Sequence, residues 1–361
     1  MTQIFVQFFG IVEGIFFDQS FFKIPICNRF HQFDAELVHG SDALYFTKLP
    51  GGCFQDALQR FEPLEKCLGD FFTVFLPGVK LPADLVVSND LAEVAGAKDL
   101  LVVVVPSHVL RATAKKMAKF VSAGTIVVSA SKGIENKTHL SMSTILKEML
   151  PQVAPEKLAV LSGPSFAREV ARNVPTVVTV ACKDQGVAEL VQHTFASPFF
   201  RVYTNDDLIG VELGGAVKNV IAIAAGIIDG LGLGLNTRAA MITRGLAEIR
   251  RLGVKLGANP HTFAGLAGVG DLVLTCTGDL SRNHSVGKKI GEGKQLAEIL
   301  AEMRMVAEGV KTAKSVYNLS RKLGVDMPIS HEVYHILYDG LKPQKAVHRL
   351  MTRDLKNEIE D

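Results

Sequence analysis

The sequence predicts an α/β domain built on a doubly wound parallel sheet, followed by an all-α C-terminal domain. Three observations carry that expectation. Two β-branched runs, DLLVVVVP at 99–106 and TIVVSA at 125–130, are almost unbroken by polar residues, as in strands buried on both faces of a parallel sheet. Each run is followed by a helical pattern, so strands and helices alternate. After Asn205 the pattern changes to helices alone.

From Leu76 the elements follow in order. LPGVKLP at 76–82 is a proline-bracketed loop. The run at 99–106 leads into a helix over 107–122. The run at 125–130 leads through Ser131-Lys132-Gly133 to a helix over 140–150. A short strand at 158–161 ends in Ser162-Gly163-Pro164-Ser165, and a helix starts from Phe166. Two more strands occupy 175–182 and 200–203. Ligands in such sheets bind at the carboxyl ends of strands, where Lys132, Gly163 and Ser165 fall. The helical half has helices over 211–230, 238–253, 296–302 and 310–324. The chain therefore divides into an atypical segment (1–75), the remainder of the sheet domain (76–205) and an all-α substrate and catalytic domain (206–361).

Composition excludes several classes. A chain of 361 residues holds two or three domains with real cores, and 48% hydrophobic with 21% charged residues is globular rather than disordered. A net charge of +2 gives no argument for nucleic acid. Five cysteines without CxxC spacing are expected as reduced thiols in a cytoplasmic protein, and no zinc pattern joins them to the histidines. Glu13 and Asp18 interrupt the apolar N-terminus, so a secretory signal is not expected. Residues 1–75 stand apart: 15 of the 21 phenylalanines lie there, with a net charge of −4 against +6 for the rest.

Residues 211–230, VELGGAVKNVIAIAAGIIDG, form a helix apolar almost all round, which belongs inside a protein. Lys218, Asn219 and Asp229 interrupt it, so it is not read as a membrane span. A buried lysine needs partners or a shifted pKa, and Lys218 is a candidate proton donor or acceptor in a dry cleft. The alternative is a lysine snorkelling to the surface. Gly214 and Gly215, one turn earlier, permit close approach.

Three other stretches stand out. In GLAGVGD at 265–271, Asp271 is either a plain helix cap or the partner of Lys218. Ser281-Arg282-Asn283 precede a helix expected to begin near His284. A helix N-terminus with an arginine beside it is an anion site, and with Lys132 as second cation the ligand is a small phosphate. Glu308, in VAEG at 306–309, is a weaker candidate for accepting from ligand hydroxyls. His108, His139 and His193 are read as surface or core residues. No G-x-G-x-x-G and no P-loop is present, so the sheet looks like a dinucleotide-binding domain without its fingerprint.

Together, LPGVKLP, VVVVPSH, ASKGIE, LSGPSFA, VELGGAVKNVIAIAAG, TRGLAEI, GLAGVGDLVLTCTGDLSRN and VAEGV resemble NAD(P)-dependent glycerol-3-phosphate dehydrogenase of the bacterial soluble type, from about Phe75 to the C-terminus. The resemblance implies a Rossmann-like first domain, NAD or NADP as cofactor, and a cytoplasmic homodimer. The implied reaction is the reversible reduction of dihydroxyacetone phosphate to sn-glycerol 3-phosphate for glycerophospholipid synthesis. It makes Lys218 the proton donor and Lys132, Gly163, Ser165, Asp271, Ser281, Arg282 and Asn283 substrate contacts. Lys132, Ala167, Arg282, Val306 and Glu308 match cofactor contacts.

The family's opening strand, GAGSWGTA-like turn, helix and second strand have no counterpart before Leu76, so the first βαβ unit is atypical or missing. Ile4 to Phe9 is the one run there that reads as a substitute strand. The composition break implies that 1–75 arose from a wrong start, a frameshift or the wrong strand. The competing functions are an inactive relative lacking the dinucleotide loop and a related β-hydroxyacid dehydrogenase. Ser281-Arg282-Asn283 argue against the latter.

Overall fold

The computed structural model describes residues 4–6, 21–23, 76, 78–79, 86–88, 90–303 and 307–358, apart from residue 89 and the other intervening positions. Most of the expectation about residues 1–75, including their origin, lies outside the described residues. So does Val306.

Eight described strands form one sheet: β1 (Ile4–Val6), β2 (Phe21–Lys23), β3 (Val86–Ser88), β4 (Leu100–Val103), β5 (Ile126–Ser129), β6 (Leu158–Ser162), β7 (Thr176–Cys182) and β8 (Phe200–Asn205). Their order is β3-β2-β1-β4-β5-β6-β7-β8. The helices among them are α1 (Leu91–Ala95), α2 (Ser107–Met117), α3 (Met142–Met149), α4 (Ala167–Val170) and α5 (Gln185–Phe195). This is a Rossmann-like domain. β4 shows why its sequence is apolar throughout. Leu100 and Val102 enter the core on one face, while Leu101 and Val103 enter it on the other.

The sheet differs from expectation in one respect. It is parallel-dominated rather than wholly parallel: β7 runs antiparallel to β6, and β2 runs antiparallel to both β1 and β3. The reason at β7 is the connection. α4 has four residues, about 6 Å of helix, too short to carry the chain back along a strand for a parallel crossover. At the N-terminus, part of the run expected as a substitute strand does pair with the sheet. Ile4–Val6 lies parallel to Leu100–Val102, so this short piece occupies the central position beside β4. Without it the backbone groups of β4 would face no partner on that side.

The helical domain contains α6 (Leu208–Gly230), α7 (Gly234–Lys255), α8 (Asp271–Thr277), α9 (Arg282–Gly291), α10 (Leu296–Glu302), α11 (Glu308–Leu323), α12 (Pro328–Tyr338) and α13 (Pro343–Met351). α6 is its axis. Asp207 caps it by accepting from Gly210 N at 2.9 Å, and Val211 through Ile228 are all buried. By length and hydropathy this helix would suffice to cross a membrane, but it is wholly enclosed by protein. α7, α8, α9 and α11 pack around it. α9 comes closest because glycines face each other: a Cβ on Gly226 would sit 2.1 Å from His284 O, and one on Gly287 would sit 2.0 Å from Ile223 O. Helices α12 and α13, each starting at a proline, were not foreseen.

Candidate active site

The site forms where α6 passes the carboxyl ends of β5 and β6. Gly214 and Gly215 make the approach possible. A Cβ on Gly214 would lie 2.3 Å from Ala267 O, and one on Gly215 would lie 2.6 Å from Ser162 Oγ. One turn on, Lys218 is 1% exposed, so it does not snorkel. Its Nζ donates to Asp271 Oδ1 at 2.5 Å and to Thr275 Oγ1 at 2.9 Å. From the sheet side, Lys132 Nζ donates to the other oxygen, Asp271 Oδ2, at 3.1 Å. Two ammonium groups therefore share one buried carboxylate.

Asp271 is held by an unusual backbone. The glycine-rich stretch forms a π-helical turn, Leu266–Gly270, which runs directly into α8. Asp271 is thus the first residue of α8 and not its cap, and its carboxylate sits where a helix N-terminus favours negative charge. π-turns cluster at functional positions. Thr275 escaped the sequence reading. Its signal was its place four residues after Asp271, one turn up the same face. Its hydroxyl donates to Asp271 O at 2.6 Å while accepting from Lys218.

The phosphate candidates gather at α9. This helix begins at Arg282, two residues earlier than expected, because Ser281 caps it by accepting from His284 N at 3.2 Å. Ser281 and Asn283 are buried, and Asn283 Oδ1 accepts from Gly309 N at 3.0 Å. Glu308 opens α11 rather than preceding it. Its Oε2 accepts from Ser107 Oγ at 2.8 Å, joining α11 to the start of α2 across the two domains. Gly163 takes φ +147° at the end of β6, and Ser165 Oγ turns back to Gly163 O at 3.1 Å. Ala167 starts α4 two residues further on.

Two buried glutamates also went unforeseen, although a carboxylate inside an apolar helical run is itself a signal. Glu212 on α6 accepts from Ser143 N at 2.8 Å and Ser143 Oγ at 2.6 Å, tying the lysine helix to the first turn of α3. Burial raises its carboxyl above the ordinary value, and the Ser143 bonds pull part of the way back. Glu248 on α7 holds the start of α12 through Ile329 N, Ser330 N and Ser330 Oγ. Cys276 is a free thiol pushed up to about 12, chiefly by burial, and Cys182 is also free and buried.

The described residues fit the reactive end of a dinucleotide. Ser129 Oγ and Ser162 Oγ, at the carboxyl ends of β5 and β6, are buried without hydrogen-bond partners, and Asn219 Oδ1 beside Lys218 is likewise unpaired. Buried polar atoms of this kind are rare unless a ligand or water satisfies them. The turn after β1, where the family holds the pyrophosphate, lies outside the described residues.

A Rossmann-like sheet, a helical domain and a buried lysine–aspartate centre between them define a two-domain nicotinamide-linked oxidoreductase. Comparisons with known proteins agree. The family model for the NAD-dependent glycerol-3-phosphate dehydrogenase N-terminus matches residues 73–188, and that for the C-terminus matches residues 207–348. The chain belongs to this family. The chain is 58% identical over 286 residues to a glycerol-3-phosphate dehydrogenase [NAD(P)+] of Geobacter metallireducens, covering 79% of this chain and 85% of the relative. It is 59% identical, with the same coverage, to that of Citrifermentans bemidjiense. A solved glycerol-3-phosphate dehydrogenase from Coxiella burnetii superposes with a TM-score of 0.75 at 39% identity, covering 79% of this chain and 88% of that one.

Proposed function

We propose that this chain catalyses the reversible, NAD(P)H-dependent reduction of dihydroxyacetone phosphate to sn-glycerol 3-phosphate, with Lys218 as the acid. One observation carries the reading: an ammonium that is 1% exposed, held by Asp271 and Thr275 at the carboxyl edge of a Rossmann-like sheet. When bound, the nicotinamide supplies the hydride that reduces the ketone carbon.

The chain's own groups do the rest. Lys218 Nζ donates a proton to the carbonyl oxygen as negative charge develops there, and it takes that proton back in the reverse direction. Asp271 and Thr275 fix the ammonium in place. Lys132, on the other oxygen of Asp271, adds positive charge for an anionic ligand. Arg282, with Ser281 and Asn283 at the N-terminus of α9, receives the phosphate through charge-assisted bonds. Gly163 and Ser165 line the substrate side. Lys132, Ala167, Arg282, Val306 and Glu308 serve the cofactor, with Glu308 already oriented by Ser107. Closure of α6 over β5 and β6 excludes water and holds the reactants together. The product feeds glycerophospholipid synthesis in the cytoplasm, and the enzyme works as a homodimer.

NADH and NADPH oxidation by the purified chain with dihydroxyacetone phosphate tests this, with Lys218→Ala as control. Turnover that survives the substitution would sink the assignment of Lys218. The competing reading, an inactive relative, is not favoured, since 58% identity spans 85% of an enzyme that carries out this reaction by name.

A further inference from the structure

On another side of the π-helical turn lies a half-open cleft of about 350 Å³. None of the residues of the lysine centre lines it. Its walls come from the middle of β7, the end of β8, the start of α6, the segment between α7 and the π-turn, and the π-turn itself. That volume suits a small metabolite.

One hydroxyl there lacks a partner. Thr179 is 6% exposed, lines the cleft, and its side chain has no hydrogen-bond partner among the described residues. Thr179 lines the cleft, so a ligand or water there can meet its hydroxyl. Thr179 pairs across the sheet with Ser162, placing both side chains on one face, and Ser162 Oγ is buried and unpaired.

The lining chemistry selects the ligand. Among the described residues no lysine or arginine lines the cleft, and its imidazole, His261, shares the lining with the Asp206 carboxylate, so the cleft lacks the fixed positive charge a phosphate needs. Asn205 and Asn259 each spend their amide oxygen on a nearby backbone N–H, of Asp207 and His261. Their NH₂ groups are then left to donate, while Asp206 accepts and Thr179 and Thr204 do both. Val211, Leu266 and Ala267 give an apolar wall. Donors and acceptors beside an apolar wall match the hydroxyls and carbon chain of a polyol.

We propose that this cleft is a second binding site, for a small uncharged polyol, coupled to the lysine centre through the π-turn. Leu266 and Ala267 form the wall on one side. On the other, Ala267 O presses against Gly214, one turn before Lys218, and the same turn ends at Asp271. Occupancy therefore biases the geometry of Lys218 and Asp271. This coupling rests on the proposed function; binding itself does not.

The test titrates glycerol, erythritol and xylitol into the full chain by calorimetry and ligand-observed NMR, with and without saturating dihydroxyacetone phosphate. The variants Thr179→Val and Asp206→Asn are compared after a thermal-unfolding check. Asp206 is exposed, so its substitution leaves the core intact. At least one polyol should bind with one-to-one stoichiometry, unaffected by the phosphate ester, and each variant should weaken it about tenfold. The same polyol should change kcat without changing KM. No binding by any of the three, unaltered binding in both variants, or displacement by dihydroxyacetone phosphate would each overturn the site. Binding with an inactive enzyme would leave the site standing and count against the proposed function.

Discussion

Lys218 and Asp271 meet at 2.5 Å from positions 53 residues apart, each 1% exposed. Neither charge is tolerable there alone. An isolated buried ion costs several kcal/mol, whereas a paired and hydrogen-bonded one is held for use. Thr275 and Lys132 complete the arrangement, so four side chains from α6, α8 and the end of β5 form one unit.

Lys218→Ala removes the proton donor. The expected loss in kcat is on the order of 10²–10⁴ for a general acid, with the KM for dihydroxyacetone phosphate changed far less. Steady-state kinetics on a variant that unfolds cooperatively gives the answer. A KM effect alone would make Lys218 a binding residue.

Asp271→Asn keeps the shape but leaves two ammonium groups without their shared anion. A fall in kcat should accompany a lowered pH limit of activity, because a lysine that loses its carboxylate gives up its proton more readily. Thr275→Val should produce a smaller fall in the same direction. A pH–rate profile identical to that of the parent would remove Asp271 from the proton-donating unit.

Arg282→Leu should act on binding. Losing charge-assisted bonds to a phosphate costs roughly 1.5–3 kcal/mol each, so KM should rise by about tenfold to a hundredfold. Activity on unphosphorylated dihydroxyacetone should fall less, since only the cofactor contact of Arg282 is then lost. Equal losses on both substrates would place Arg282 away from the phosphate.

Glu248 links stability to pH. Burial raises its carboxyl to about 7, against 4.5 for the ordinary side chain, although Ile329 and Ser330 hydrogen bonds oppose the rise. The folded state therefore binds the proton more tightly than the unfolded state. This contribution is fully present below about 4.5 and is lost as pH rises through about 7, a difference of about 3 kcal/mol. Glu248→Gln should flatten the stability profile over that window, as read by denaturant melts. An unchanged slope would show that Glu248 does not titrate there.

Gly287→Ala would drive a methyl to within 2.0 Å of Ile223 O at the α6–α9 crossing. Overpacking costs about 1–3 kcal/mol, so the melting temperature should drop by several degrees. Unaltered stability would mean that the two helices separate easily.

Much of this protein follows from local pattern. The double-sided burial of β4 and β5 requires continuous β-branched runs, and an apolar helix with one lysine requires a partner for that lysine. Those constraints act over a few residues, so they are visible in a linear sequence. Lys132, Gly163, Asp271 and Ser281-Arg282-Asn283 stood out as candidates because they follow strands or begin helices, where backbone groups are open to a ligand.

What tertiary structure decided were the relations between distant segments. The antiparallel turn at β7 depended on how little helix α4 could form. The role of Thr275 depended on the face of α8 that meets α6. The partners of the two glutamates, Glu212 and Glu248, were set only when α3 and α12 docked their N-termini on them. The amino-acid pattern determined which segments were strands, which were helices and which charge had to be paired. Docking determined the partner, because burial energy belongs to surfaces that come together and cannot be assigned to one segment alone.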